Sequence, residues 1–164
     1  MTTTETQRVE AIPDELRQLK WWVCWRSVKR NQKITKVPFL PDGRPAKSND
    51  PSTWSDFQSC WRAPGDYDGV GFVLGDGYVG VDLDSCRDPA TGSIEKWAQD
   101  IIDRLRSYTE VSPSGTGVHI ICRGALPPGG RRKGPVEMYD RDRYFTITGQ
   151  RLYGFNLRDC SEEL

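Results

Sequence analysis

The chain has 164 residues, enough for one domain with a proper core. Its 23 basic and 23 acidic side chains cancel, which excludes a broad basic grip on duplex DNA and confines any nucleic-acid contact to local clusters. Five cysteines with no C-x-x-C spacing exclude a zinc knuckle and a secreted disulfide framework, and neither end has an apolar run of signal-peptide or membrane length, so a soluble, cytoplasmic chain is expected.

In chain order, the first ten residues, MTTTETQRVE, are polar and expected to fray. Pro13 opens a short helical segment, PDELRQLK, with Asp14 and Glu15 where acids suit the helix dipole. WWVCWR reads as an aromatic-rich strand, SVKRNQKIT as a basic turn, and KVPFL as an extended return. PDGRPAKSNDPSTW is a turn-rich loop, and SDFQSCWR a short helix capped by Ser55. GVGFVL and YVGVDLD read as two strands joined in a hairpin by Gly75-Asp76-Gly77. From Ile94 to Tyr108, Ile94, Trp97, Ala98, Ile101, Ile102 and Leu105 recur at the helical period. SYTEV, VHIIC, VEMY and YFTITG are further strands, separated by the tight loop SPSGTG and the basic, mobile loop GALPPGGRRKGP. Strands dominate, so the fold class is α+β, a mostly antiparallel sheet with helices on one face. A boundary between a smaller N-terminal αβ lobe (1–64) and a larger C-terminal lobe (65–164) is expected near Ala63-Pro64-Gly65.

The strand GYVGVDLD spends alternate positions on charge. Val79, Val81 and Leu83 point one way, toward the helix; Gly80, Asp82 and Asp84 point the other. Gly80 is expected to keep that face open. The α-carbons of the two acids lie ~7 Å apart at a rise of ~3.3 Å per residue, so their side chains can converge on one ion. A hard divalent cation, Mg²⁺ or Mn²⁺, relieves their repulsion, and a carboxylate-held metal pair suits phosphoryl transfer. A lone D-x-D is also common on a solvated strand face, so the reading needs company.

Three other segments supply it. Ser112, Ser114, Gly115 and Gly117 form a small polar loop suited to phosphate, and it leads into His119, the single histidine. Glu137 alternates with Val136 and Met138, placing a third carboxylate on a polar strand face. Arg143 stands at the entrance of the last strand, beside Tyr144, where its fork can hold a triphosphate.

The ordered set D-x-D, S-x-S-G-x-G-x-H, a strand Glu and R-Y-x-T-I-T-G resembles the primase–polymerase domains of the archaeo-eukaryotic primase superfamily, in particular those of phage, plasmid and mobile-element replication proteins. WWVCW, KVPF, DPSTW, GVGFVL and RYFTITG resemble their counterparts there, so the likeness spans roughly residues 15 to 154. The resemblance implies a catalytic lobe on an RNA-recognition-motif-like sheet beside the N-terminal lobe. It implies Asp82, Asp84 and Glu137 as metal ligands and His119 as a contact to the incoming nucleotide's phosphates. Ser112, Ser114, Gly115 and Arg143 would complete the triphosphate pocket, with Lys36 added by KVPF alone. The activity implied is template-dependent nucleotidyl transfer from NTP or dNTP on single-stranded DNA, with a helicase or helical accessory domain as partner. Tyr144 is a candidate sensor of the nucleotide sugar.

Arg131, Arg132 and Lys133 lie between the His and Glu motifs and are candidates for touching template or nucleotide; charge runs in loops are also commonly just solvated. Two rivals stand beside this reading. A nuclease with paired metal-binding histidines is disfavoured by the single histidine. A non-catalytic single-strand-binding module would stack bases on Trp21, Trp22, Trp25, Tyr139 and Tyr144, although such aromatic runs also fill cores.

Overall fold

The computed structural model describes residues 4–129 and 131–164; residues 1–3, within the tail expected to fray, and residue 130, within the basic loop, lie outside the described residues. Four α-helices are described: α1 (Glu5–Ala11), α2 (Asp14–Arg17), α3 (Phe57–Trp61) and α4 (Lys96–Leu105). The strands are β1 (Trp22–Arg30), β2 (Lys33–Phe39), β3 (Gly69–Val73), β4 (Tyr78–Leu83), β5 (Tyr108–Val111), β6 (Val118–Arg123), β7 (Arg132–Lys133), β8 (Val136–Tyr139), β9 (Tyr144–Ile147) and β10 (Arg151–Leu152). They form a four-stranded sheet in the order β2-β1-β3-β9 and a six-stranded sheet in the order β10-β5-β6-β4-β8-β7. Neighbouring strands pair antiparallel throughout, so the strand-rich mixed class is as expected. The four-stranded sheet draws β1 and β2 from before residue 64 and β3 and β9 from after it. No helix among the described residues is long and apolar enough to cross a membrane.

Residues 4–11 do not fray. Thr4 caps α1 through a reciprocal box with Gln7, which satisfies two otherwise orphaned N–H groups. The stretch expected as a basic turn is mostly strand: β1 and β2 pair from Cys24↔Phe39 to Arg30↔Lys33, and only Asn31 and Gln32 turn, both at positive φ. That is the geometry of a tight two-residue hairpin. α3 is capped by Asp56, whose carboxylate accepts from the Ser59 N–H. Ser55, the expected cap, instead exchanges backbone bonds with Trp22.

Gly75-Asp76-Gly77 does not close a hairpin. β3 pairs with β1 and β9, and β4 pairs with β6 and β8, so this short connection carries the chain from one sheet to the other. α4 is shorter than the periodicity predicts, because Arg106 adopts the left-handed conformation that ends a helix and Tyr108 already belongs to β5. In the loop read as mobile, Arg132 and Lys133 pair with β8.

The six-stranded sheet is covered on both faces. Val79, Val81 and Leu83 pack with Val118, Ile120 and Cys122 under Ala98, Ile102 and Leu105 of α4. The opposite face contributes Tyr108 and Ile121 to a second core shared with β1, β3, β9 and the N-terminal helices. Gly80 has a different role from the one expected. A β-carbon there would stand 2.7 Å from the Phe145 ring and 2.8 Å from Leu74; the space it vacates is filled by Phe145. Trp22 and Trp25 are core residues, fully or almost fully buried, so neither offers a face for stacking. All five cysteines are free and buried.

Candidate active site

The strand register builds the site. Asp82 lies directly opposite His119 on β6 and opposite Glu137 on β8. His119 lies opposite Glu110, Glu137 opposite Arg132, and Glu110 opposite Arg151. Directly paired residues share a face and place their β-carbons about 4.5–5.5 Å apart. The result is one polar row across six strands: Arg151, Glu110, His119, Asp82, Glu137, Arg132. Two acids facing each other repel, and each is held by a neighbour. Asp82 Oδ1 stands 3.5 Å from His119 Nε2. Glu137 Oε1 pairs with the Arg132 guanidinium at 3.2 Å, and its Oε2 accepts from the Tyr139 hydroxyl at 3.2 Å.

His119 is 8% exposed, and its two ring nitrogens have different partners. Nδ1 lies 3.0 Å from the Thr146 carbonyl of β9. A carbonyl can only accept, so Nδ1 carries a proton and Nε2 is turned to Asp82. The Phe145 ring lies 5.0 Å away and limits the pose. Burial opposes a charged ring, but the hydrogen bond and charge of Asp82, the charge of Glu110 and the Thr146 carbonyl outweigh it and raise the His119 pKa above the ordinary histidine value.

The His119, Asp82, Glu137 and Arg132 part of this row opens on a cleft of about 820 Å³ between the two sheets. Lys36, Asp82, His119, Arg132, Glu137, Arg143 and Tyr144 all line it. The Tyr144 hydroxyl donates to the Lys36 carbonyl at 2.7 Å, and burial raises its pKa. Arg143 lies 4.8 Å over the Tyr139 ring. The cleft also receives Lys47, Ser48 and Asn49, which the sequence reading passed over as loop. Their signal was the density of turn residues in PAKSNDPSTW: Trp54 Nε1 and Thr53 Oγ1 both bond the Lys47 carbonyl and hold the loop in place.

Other candidates lie outside this cleft. Asp84 is exposed past the end of β4, where its N–H bonds the Pro135 carbonyl. The Ser112 hydroxyl bonds Ser114 and the Gly117 N–H, and Gly115 N–H closes the loop on the Ser112 carbonyl. Ser114 lines an adjoining cavity of about 690 Å³, which Lys36 also lines. Arg131 bonds the Pro127 carbonyl and reaches Asp140 at 3.7 Å, while Lys133 is exposed on β7.

The donors suit a hard cation in type: Asp82 and Glu137 would offer carboxylate oxygens from adjacent register positions, while Asp84 lies past the end of β4. Their side chains are not gathered for it, since Asp82 is turned to His119 and Glu137 to Arg132 and Tyr139. Among the described residues no three His, Cys, Asp or Glu side chains form a metal-holding group.

The sequence reading missed Glu110. It is completely buried, and its carboxylate accepts from the Tyr108 hydroxyl at 2.7 Å, the Thr148 N–H at 2.8 Å and the Gly149 N–H at 3.0 Å. Burial pushes its pKa up, against the pull of those donors and of His119.

No protein-family model matches the chain. Over 154 residues it is 36% identical to a DNA primase-polymerase of Nitratiruptor phage NrS-1, a match covering 87% of this chain and 20% of that protein. The chain is therefore related to a phage primase-polymerase while spanning about a fifth of its length.

Proposed function

We propose that the cleft is the nucleotidyl-transfer site of a primase–polymerase acting on single-stranded DNA, extending or making primers from NTP or dNTP. The observation that carries this reading is the register that sets Asp82, His119 and Glu137 opposite one another on three adjacent strands. The relationship to a phage primase-polymerase supports it. So does the order of the central strands: β4, α4, β5, β6 and β8 form a split β-α-β-β unit with β4 inside, in keeping with an RNA-recognition-motif-like sheet.

In this reading Asp82, Asp84 and Glu137 hold Mg²⁺ or Mn²⁺, which would activate a 3′-hydroxyl and stabilise leaving pyrophosphate. Asp82 must then turn from His119, and Glu137 from Arg132. The freed Nε2 of His119 would face the cleft and, with the ring carrying both protons, donate to a phosphate oxygen. Lys36, Lys47, Arg132 and Arg143 surround the same space and supply positive charge for a triphosphate. The Ser112–Gly115 loop would meet the far end of the phosphates from the adjoining cavity. Tyr144 presents its ring to the cleft, because its hydroxyl is spent on Lys36. Template single-stranded DNA and a helicase or helical accessory domain are the partners of this activity.

The test is incorporation of labelled nucleotide on a single-stranded template, with and without Mn²⁺ or Mg²⁺. Asp82→Asn should lower the rate by about 100-fold or more, since even outer partners of metal ligands contribute about 10–100-fold. Incorporation by Asp82→Asn at the wild-type rate would overturn the assignment.

A further inference from the structure

Glu110 is a buried carboxylate that the proposed reaction does not use. It sits on β5, opposite His119 in the register, yet its oxygens are bonded elsewhere. Oε1 accepts from the Thr148 N–H, and Oε2 accepts from the Gly149 N–H and the Tyr108 hydroxyl. Thr148 and Gly149 immediately follow β9, the strand whose Thr146 carbonyl accepts from His119 Nδ1. Thr148 Oγ1 adds a bond to the Val111 carbonyl at 2.7 Å, next to Glu110 on β5. Arg151, the other register neighbour of Glu110, is turned away to Phe155 and Asn156. The carboxylate therefore ties β5 of one sheet to the end of β9 in the other, two residues beyond the carbonyl that orients the imidazole.

We propose that Glu110 is a positioning residue for His119, a buried strut that clamps the end of β9 to β5 and thereby keeps the Thr146 carbonyl on Nδ1 and Nε2 toward the cleft. A carboxylate suits the task because both its oxygens accept and all three of its partners donate. A glutamine in its place sets an amide N–H₂ against at least one N–H or hydroxyl and leaves a buried donor unpaired. The strut matters for catalysis only if the cleft is the nucleotidyl-transfer site, but its effect on His119 is measurable without any substrate.

The single histidine makes that measurement clean, because one imidazole supplies the whole ¹⁵N–¹H ring signal. In the wild-type protein the Nδ1–H, each rate taken relative to that group's own unprotected rate, should be protected within about tenfold of the Thr148 and Gly149 amides, as groups released by one local opening are. Glu110→Gln should speed Nδ1–H exchange by more than about tenfold, whereas Tyr108→Phe, which spares both backbone bonds, should leave it unchanged. An unchanged Nδ1–H in folded Glu110→Gln overturns the proposal. If that variant does not fold, wild-type exchange decides: an Nδ1–H far less protected, relative to its own unprotected rate, than both amides overturns it. Absence of nucleotide incorporation with coupled exchange intact would remove the proposed function and leave the strut standing.

Discussion

Glu137 is held by a cation that a metal would have to replace. Its Oε1 pairs with Arg132, whose side chain is 68% exposed, so the pair adds little to stability. Arg132→Ala should therefore change unfolding free energy by less than about 1 kcal/mol. It should also let Mn²⁺ bind a few-fold more tightly, because a competing positive charge has left Glu137, while the KM for nucleotide rises. Calorimetric titration with Mn²⁺ and steady-state incorporation check the two halves; weaker Mn²⁺ binding would contradict the placement of the metal. At this scale the sequence was most legible where alternation alone decides. Asp82 and Glu137 sit on the faces that alternation predicts, opposite Val79, Val81, Leu83, Val136 and Met138. Their register with His119 was not legible, because strand pairing is a tertiary choice. Glu110 was missed because YTEV reads as an ordinary strand, and only a sheet covered on both sides makes all four residues buried.

At the scale of elements, the site depends on how closely β9 approaches β4. Gly80 gives up its side chain so that Phe145 can lie against the strand, which brings the β9 backbone over His119. Gly80→Ala forces that ring or the strand to move, and overpacking of this kind costs about 1–3 kcal/mol. The expected result is a lower melting temperature together with loss of the Thr146–His119 bond, seen as faster exchange of the imidazole N–H. A melting temperature equal to wild type would show that Phe145 can give way at no cost. The same approach explains why the Gly75-Asp76-Gly77 connection misled. Its chemistry is that of a hairpin, but both edges of β3 and both edges of β4 already have partners, and Leu74 continues the core instead of turning back. The loop 45–53 shows the opposite case: composition marks it as irregular, and only the folded chain shows that its Lys47, Ser48 and Asn49 wall the cleft.

For the whole molecule, the N-terminal helices are joined to the six-stranded sheet through polar contacts that titrate. Glu15 on α2 accepts from the Tyr78 hydroxyl of β4 at 2.6 Å and pairs with Arg123 of β6 at 2.5 Å. Burial, reinforced by the hydrogen bond and charge of Glu15, pushes the Tyr78 pKa up to about 12. Burial also raises Tyr108, which is completely buried beside Glu110. An unfolded tyrosine loses its proton near pH 10. Between there and the folded pKa the native chain binds protons that the unfolded chain has released, so stability falls as pH rises. Below about pH 10 the contribution is fully present; for Tyr108 the decline approaches about 1.4 kcal/mol per pH unit. Tyr78→Phe should lower stability at pH 8 by about 1.5–3 kcal/mol, as expected for a hydrogen bond to a charged group. Above pH 10 the two proteins should converge, because the variant no longer carries the proton that wild type must keep. Urea midpoints measured from pH 8 to about 12 would follow the convergence through the range in which Tyr78 titrates. A constant gap across that range would mean that Tyr78 does not link the helices to the sheet in its protonated form.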